Sequence, residues 1–88
     1  MLQFNTSKQI RFVGLERTGL DCYKCRYPVL LVAWLRERGY AEKPISTGEL
    51  ARLANSQAEV RVRKTGSVRV FGEGANQVHN VLEMLIKN

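Results

Sequence analysis

Glu59-Val60-Arg61-Val62-Arg63-Lys64-Thr65-Gly66-Ser67-Val68-Arg69-Val70-Phe71 is the stretch that decides the fold. Apolar and basic residues alternate, turn over a Thr-Gly, and alternate again. Period two on both sides of a turn predicts a β-hairpin with one apolar and one cationic face. A three-residue loop, Lys64-Thr65-Gly66 with Gly66 left-handed, pairs Arg63 with Ser67, Val62 with Val68, Arg61 with Arg69 and Val60 with Val70. All four valines then share a face. A two-residue Thr-Gly loop would set Arg63 against Val68 and mix the faces, which burial forbids. In the preferred register Arg61 and Arg69 face each other directly, which is unfavourable unless an anion lies between them.

Working outward, Gly72-Glu73-Gly74 leads into a helix from about residue 75 to 86, with Val78, Leu82 and Leu85 at helical spacing. On the other side, Ser46-Thr47-Gly48-Glu49 reads as a capping box, with Ile45 and Leu50 as its hydrophobic staple. That predicts a short helix from Thr47 to about Ala54. Pro28 suits the first position of an earlier helix, whose Val29–Leu35 run is apolar on every side and so predicts a core helix. Gly39 fits its left-handed end. Residues 9–15 read as a strand, Leu2-Gln3-Phe4 as a short partner strand, and 16–27 as irregular. The expectation is a single α+β domain over residues 1–88, with two layers. Its order is N-terminal strand, core helix, short helix, basic β-hairpin and C-terminal helix.

Fourteen Lys and Arg stand against eight Asp and Glu in 88 residues, a formal net charge of +6. Such a balance favours nucleic acid, acidic lipid surfaces or acidic protein patches as partners. The longest apolar run, Pro28 to Leu35, is far short of the roughly 20 residues a bilayer needs, so no membrane role is expected. The N-terminus shows no basic start followed by an apolar stretch, and two cysteines are too few for a disulfide scaffold. A reducing, cytoplasmic setting is therefore expected.

The cations of the hairpin, Arg61, Arg63, Lys64 and Arg69, are the primary candidate site. Arginine offers a planar fork of donors that suits phosphate. Phe71 shares a face with Arg69 and is placed to stack on a base. Arg52 is a secondary candidate. A two-stranded ribbon also fits a DNA major groove. The stretch from Val29 through Ile45-Ser46-Thr47-Gly48-Glu49-Leu50-Ala51-Arg52-Leu53-Ala54 and the hairpin resembles a winged-helix DNA-binding domain, with residues 28–71 covered. That resemblance implies DNA as the ligand, although Asn55–Ala58 leaves no room for a recognition helix. The element order is also similar to that of KH RNA-binding domains, without their Gly-x-x-Gly loop. DNA bound through phosphates is the favoured function. A small interaction, assembly or inhibitor protein docking on an acidic partner surface is the alternative.

Cys22-Tyr23-Lys24-Cys25 opens a third reading. After a strand and before an apolar helix, this Cys-x-x-Cys resembles the glutaredoxin and thioredoxin layout, which implies thiol–disulfide exchange by Cys22 and Cys25. Lys24 and Arg26 would favour the thiolate. The chain lacks that family's proline before the third strand, and its hairpin is charged on one face. The bland reading is two small buried apolar residues. A tetrahedral metal needs four ligands, and with one histidine the chain musters three, so no metal or other cofactor is assigned. His79 reads as a boundary histidine without a carboxylate partner. No catalytic set emerges, and the chain is not expected to be an enzyme.

Overall fold

The computed structural model describes residues 13–87, and the Leu2–Phe4 strand and residues 9–12 lie outside that range. Eight elements follow in order: β1 (Leu15–Arg17), β2 (Cys22–Cys25), α1 (Pro28–Glu37), β3 (Ala41–Lys43), β4 (Glu49–Ala54), β5 (Glu59–Arg63), β6 (Ser67–Phe71) and α2 (Ala75–Lys87). The strands form one antiparallel sheet of order β1-β2-β6-β5-β4-β3. Both helices cover the same face of it, α1 over β4 and β5 and α2 over β6 and β1. The result is the two-layer α+β architecture that the alternation and the helical spacing require.

The hairpin forms in the register that burial demands, with Val60 opposite Val70, Arg61 opposite Arg69 and Val62 opposite Val68. All four valines are buried under the helices. Each contributes on the order of 1.5–3 kcal/mol by leaving water. The turn closes through the Gly66 N–H donating to the Arg63 carbonyl at 2.9 Å. Gly66 has φ +96°, and a Cβ there would meet the Cys25 carbonyl oxygen at 2.3 Å. Only glycine satisfies both the left-handed turn and the approach of β2.

Four expectations change. The segment Thr47–Ala54 is not a helix. It contains β4, whose Ala51 and Leu53 face the core while Arg52 and Ala54 face out. An eight-residue helix is marginal by itself, whereas strand pairing satisfies the whole outer edge of β5. Residues 16–27 are not irregular: the end of β1 and all of β2 lie there. The hairpin is consequently central in the sheet, held by β4 on one side and β2 on the other, and is no free wing. Finally, α1 is apolar all round yet leaves Val29 65% exposed, because a two-layer domain covers only one side of a helix. Its ends follow the sequence signals, with Pro28 in the first turn and Gly39 left-handed at φ +92°. In α2, Val78, Leu82 and Leu85 are buried as their spacing requires. No helix among the described residues is long and apolar enough to cross a membrane.

Candidate functional site

With both helices on one side, no helix among the described residues covers the other face of the sheet. Cross-strand pairing builds a row of cations across it. Lys43 of β3 stands opposite Arg52 of β4, Arg52 opposite Arg61 of β5, and Arg61 opposite Arg69 of β6. Arg69 in turn faces Cys22 of β2. At about 4.8 Å between strands, the four cations span about 14 Å. Arg63 and Lys64 extend the positive field toward the hairpin tip, both exposed. Lys24, opposite Ser67, lies on the same face. The residues singled out from the hairpin thus come together with Arg52, and Lys43 and Lys24 join them. Neither of those two lysines was legible as part of the site, since strand pairing brings them there from distant segments.

Acids restrain part of this charge. Glu59 accepts a hydrogen bond from Arg61 Nε at 2.6 Å, and Glu49 accepts one from Arg52 Nε at 2.7 Å. The Arg61 guanidinium also lies over the Phe71 ring, 4.5 Å from its centroid. Arg63, Lys64 and Arg69 have no carboxylate within 4.0 Å among the described residues. The mutual repulsion of Arg61 and Arg69 is thus relieved only on the Arg61 side. Glu49, Arg61, Arg63, Ser67, Arg69 and Phe71 line a depression of about 390 Å³ on this face. Its guanidinium groups donate and never accept, which fits an anion.

Glu49 is the residue that sequence reasoning placed wrongly. Strict alternation with Ala51 and Leu53 would send it under the helices. A register shift between Glu49 and Ala51 instead pairs it with Arg63 and turns it to the open face. It is 5% exposed there, covered by neighbouring side chains. Ser46 N–H donates to Glu49 Oε1 at 2.8 Å, and Arg52 Nη2 donates to Ser46 Oγ at 3.0 Å. Half of the capping box therefore exists, as a clamp on the turn before a strand rather than on a helix. The Arg52 hydrogen bond first, and the Ser46 N–H second, hold the Glu49 carboxyl below its ordinary pKa. Gly48, at φ +86°, makes the turn, and a Cβ on it would stand 3.2 Å from Arg63 Nη2.

The cysteines occupy opposite faces of β2, because residues three apart in a strand point opposite ways. Cys22 is half-buried on the open side, while Cys25 is buried. Cys25 Sγ donates to the Val13 carbonyl at 3.2 Å, and burial pushes its pKa up to about 11. The two thiols therefore do not face each other across β2. His79 also departs from expectation. It is 7% exposed, with Nδ1 2.5 Å from Tyr23 Oη and Nε2 2.9 Å from Asp21 Oδ1. Burial, with smaller contributions from Glu83 and Asp21, raises the Tyr23 pKa against the opposing charge of Arg17. This Asp21–His79–Tyr23 chain ties α2 to β2 and the loop before it. Its partners lie more than 50 residues away in sequence, beyond the reach of local spacing.

No family model matches the chain, and no curated protein matches it. Among solved structures it is similar to the crystal structure of Aquifex aeolicus RNase H3, at 22% identity and a TM-score of 0.55. The match covers 62% of this chain and 21% of that one, so this chain spans about a fifth of the length of RNase H3. At this identity the likeness is one of fold.

Proposed function

We propose that this protein binds nucleic acid, with DNA as the first ligand to test, by laying the phosphate backbone across the open face of its sheet. One observation carries the reading: the row Lys43–Arg52–Arg61–Arg69 on a face that no helix among the described residues covers. A row of cations about 14 Å long exceeds the roughly 3.4 Å axial rise between successive phosphates of one strand several times over, so it can hold more than one phosphate at once. Arg63, Lys64 and Arg69, without acidic partners, supply the first attraction, and Phe71 supplies an apolar surface for a base. The sheet is about 24 Å across its six strands, twice the width of an undistorted major groove, so the mode is contact along the backbone rather than a ribbon entering a groove. Guanidinium groups hold anions but do not exchange protons at neutral pH, which supports binding rather than catalysis. A ligand such as RNA, named in the activity of RNase H3, is compatible with the same chemistry. Two free thiols on opposite faces suit a reducing compartment, and a cytoplasmic location is part of the proposal.

Fluorescence anisotropy of a labelled DNA oligonucleotide tests it. Saturable binding that weakens steeply with salt is expected, and binding without salt dependence would refute the phosphate role. The second reading is an acidic protein partner, favoured by β3, whose three residues are all exposed and which pairs only with β4 among the described residues. An edge of that kind accepts an added strand. Purified protein free of nucleic acid, judged by its 260/280 absorbance ratio, yet holding a protein ligand, would favour this second reading.

A further inference from the structure

A face selected only to attract phosphate gains nothing from a carboxylate inside its depression, yet the backbone takes a detour to put one there. The register shift in β4 and the left-handed Gly48 together move Glu49 from the helix side to the cationic side. Both of its internal hydrogen bonds, from Ser46 N–H and Arg52 Nε, fall on Oε1. Oε2 receives no donor among the described residues, and a carboxylate has room for about four. Around it stand Arg61, Arg63 and Arg69, which only donate. The other acid in this part of the face, Glu59, is engaged with Arg61.

Resting on the nucleic-acid reading, we propose that Glu49 is the specificity-determining residue of the open face. Its Oε2 accepts a hydrogen bond from a donor on the bound strand, a base N–H or a sugar 2′-hydroxyl, while the arginines hold the adjacent phosphate. Arginines read acceptors, and a ligand's donors require an acceptor on the protein. Carboxylates fill that role toward base amino groups and ribose hydroxyls alike. The lowered pKa leaves Glu49 a carboxylate at neutral pH, a group that accepts and cannot donate. Its small exposure and its clamp to Ser46 and Arg52 fix its position before a ligand arrives, so the order required for recognition is already present.

The test compares three single-stranded probes of equal length by anisotropy. An oligomer of tetrahydrofuran abasic (1′,2′-dideoxyribose) phosphates offers phosphates and no donor along its length. Oligo(dT) adds a base N–H, and oligo(U) adds a 2′-hydroxyl as well. The variants are Glu49→Gln and Glu49→Asp. In the first, the amide oxygen keeps the internal bonds and an NH₂ group faces the ligand's donor. The second keeps the charge but draws the acceptor back by one methylene, so it separates reach from charge. Both are checked for fold by circular dichroism. Wild type is expected to favour the donor-bearing probe by about tenfold, and both variants to lose that preference. A fall in the dT-to-abasic ratio identifies the base N–H, and a fall in the U-to-dT ratio identifies the hydroxyl. Unchanged ratios in both variants, even with a uniform rise for Glu49→Gln, would overturn the inference and leave phosphate binding standing. Failure of wild type to bind any of these probes and a labelled DNA duplex as well would overturn the underlying reading too.

Discussion

Replacing Arg63 and Arg69 together by Ala removes the two open-face arginines that have no acidic partner, and this change separates a site from a merely basic protein. Neither side chain is buried, and neither forms an ion pair among the described residues. The fold should survive, with a thermal midpoint close to wild type. If each arginine neutralises one phosphate, the slope of log K against log salt falls by about 0.9 per contact on duplex DNA, or about 0.7 on a single strand. Two contacts give about 1.8 on a duplex. Between about 50 and 200 mM salt, the affinity gap between wild type and variant should then narrow by about twelvefold. The control is Arg36→Ala with Arg38→Ala, which removes the same formal charge from the helix layer. There Arg36 pairs with Glu42, and Arg38 lies over the Trp34 ring at 4.4 Å. Anisotropy titrations at four salt concentrations measure both slopes. The control slope should stay at the wild-type value. Equal flattening by both double variants would mean that net charge, not the open face, draws the ligand, and the reasoning from the cation row would fail.

Three further outcomes follow from the same structure. Tyr23→Phe leaves His79 Nδ1 without its 2.5 Å partner in a buried site, and a loss of about 1 kcal/mol should lower the thermal midpoint by about 4–8 °C; an unchanged midpoint would remove the bond from the ledger. The folded-state pKa of Glu49 lies below its ordinary value of 4.5, so its clamp contributes stability that is present above that value and lost as pH falls through the folded one. Acid titration should therefore show the difference between wild type and Glu49→Gln shrinking below pH 4.5, and a pH-independent difference would contradict the linkage. Cys25, with a pKa pushed up to about 11, stays a thiol in the folded protein, and the stability tied to that state is present below its ordinary 9.0 and lost as pH rises through about 11. Iodoacetamide at about pH 8 should label Cys22 first and Cys25 only on unfolding, as read by mass spectrometry, because reaction runs through the thiolate.

Much of the fold was written in two segments. The hairpin showed itself because four valines and three arginines repeat the same period on both sides of a glycine turn, and only one register keeps the valines together. The last helix showed itself through Val78, Leu82 and Leu85. What stayed hidden depended on long-range pairing. The Glu-Leu-Ala-Arg-Leu-Ala of β4 satisfies helical spacing between Glu49 and Arg52 and strand alternation between Ala51 and Leu53 at once. Its capping-box prefix tipped the local reading toward a helix, and the unpaired edge of β5 settled it the other way. The four residues of β2 carry a Cys-x-x-Cys that draws attention to chemistry rather than to alternation, and β3 has three exposed residues with no apolar mark. For the site, the hairpin cations were legible because they are adjacent in sequence. Lys43 and Lys24 were not, and neither was Glu49, since the capping box placed it on a helix whereas a register shift in β4 turns it to the open face.

The separation of layers has a consequence for how this protein can change. Apolar residues on the helix side hold the sheet together, while Arg63 and Arg69 on the open side form no ion pair among the described residues and can be altered one at a time. The turn before β4 is the exception. Ser46, Gly48, Glu49 and Arg52 form one unit in which the hydrogen bonds that hold the bulge also aim the carboxylate among the arginines. Gly48 cannot take a side chain without strain in its left-handed backbone and crowding against Arg63. On the proposed reading, structure and recognition are coupled at that one place, and at Arg63 and Arg69 they are separable. Substitutions of Arg63 or Arg69 should therefore act on affinity alone, whereas substitutions in the turn before β4 should move stability and ligand preference together.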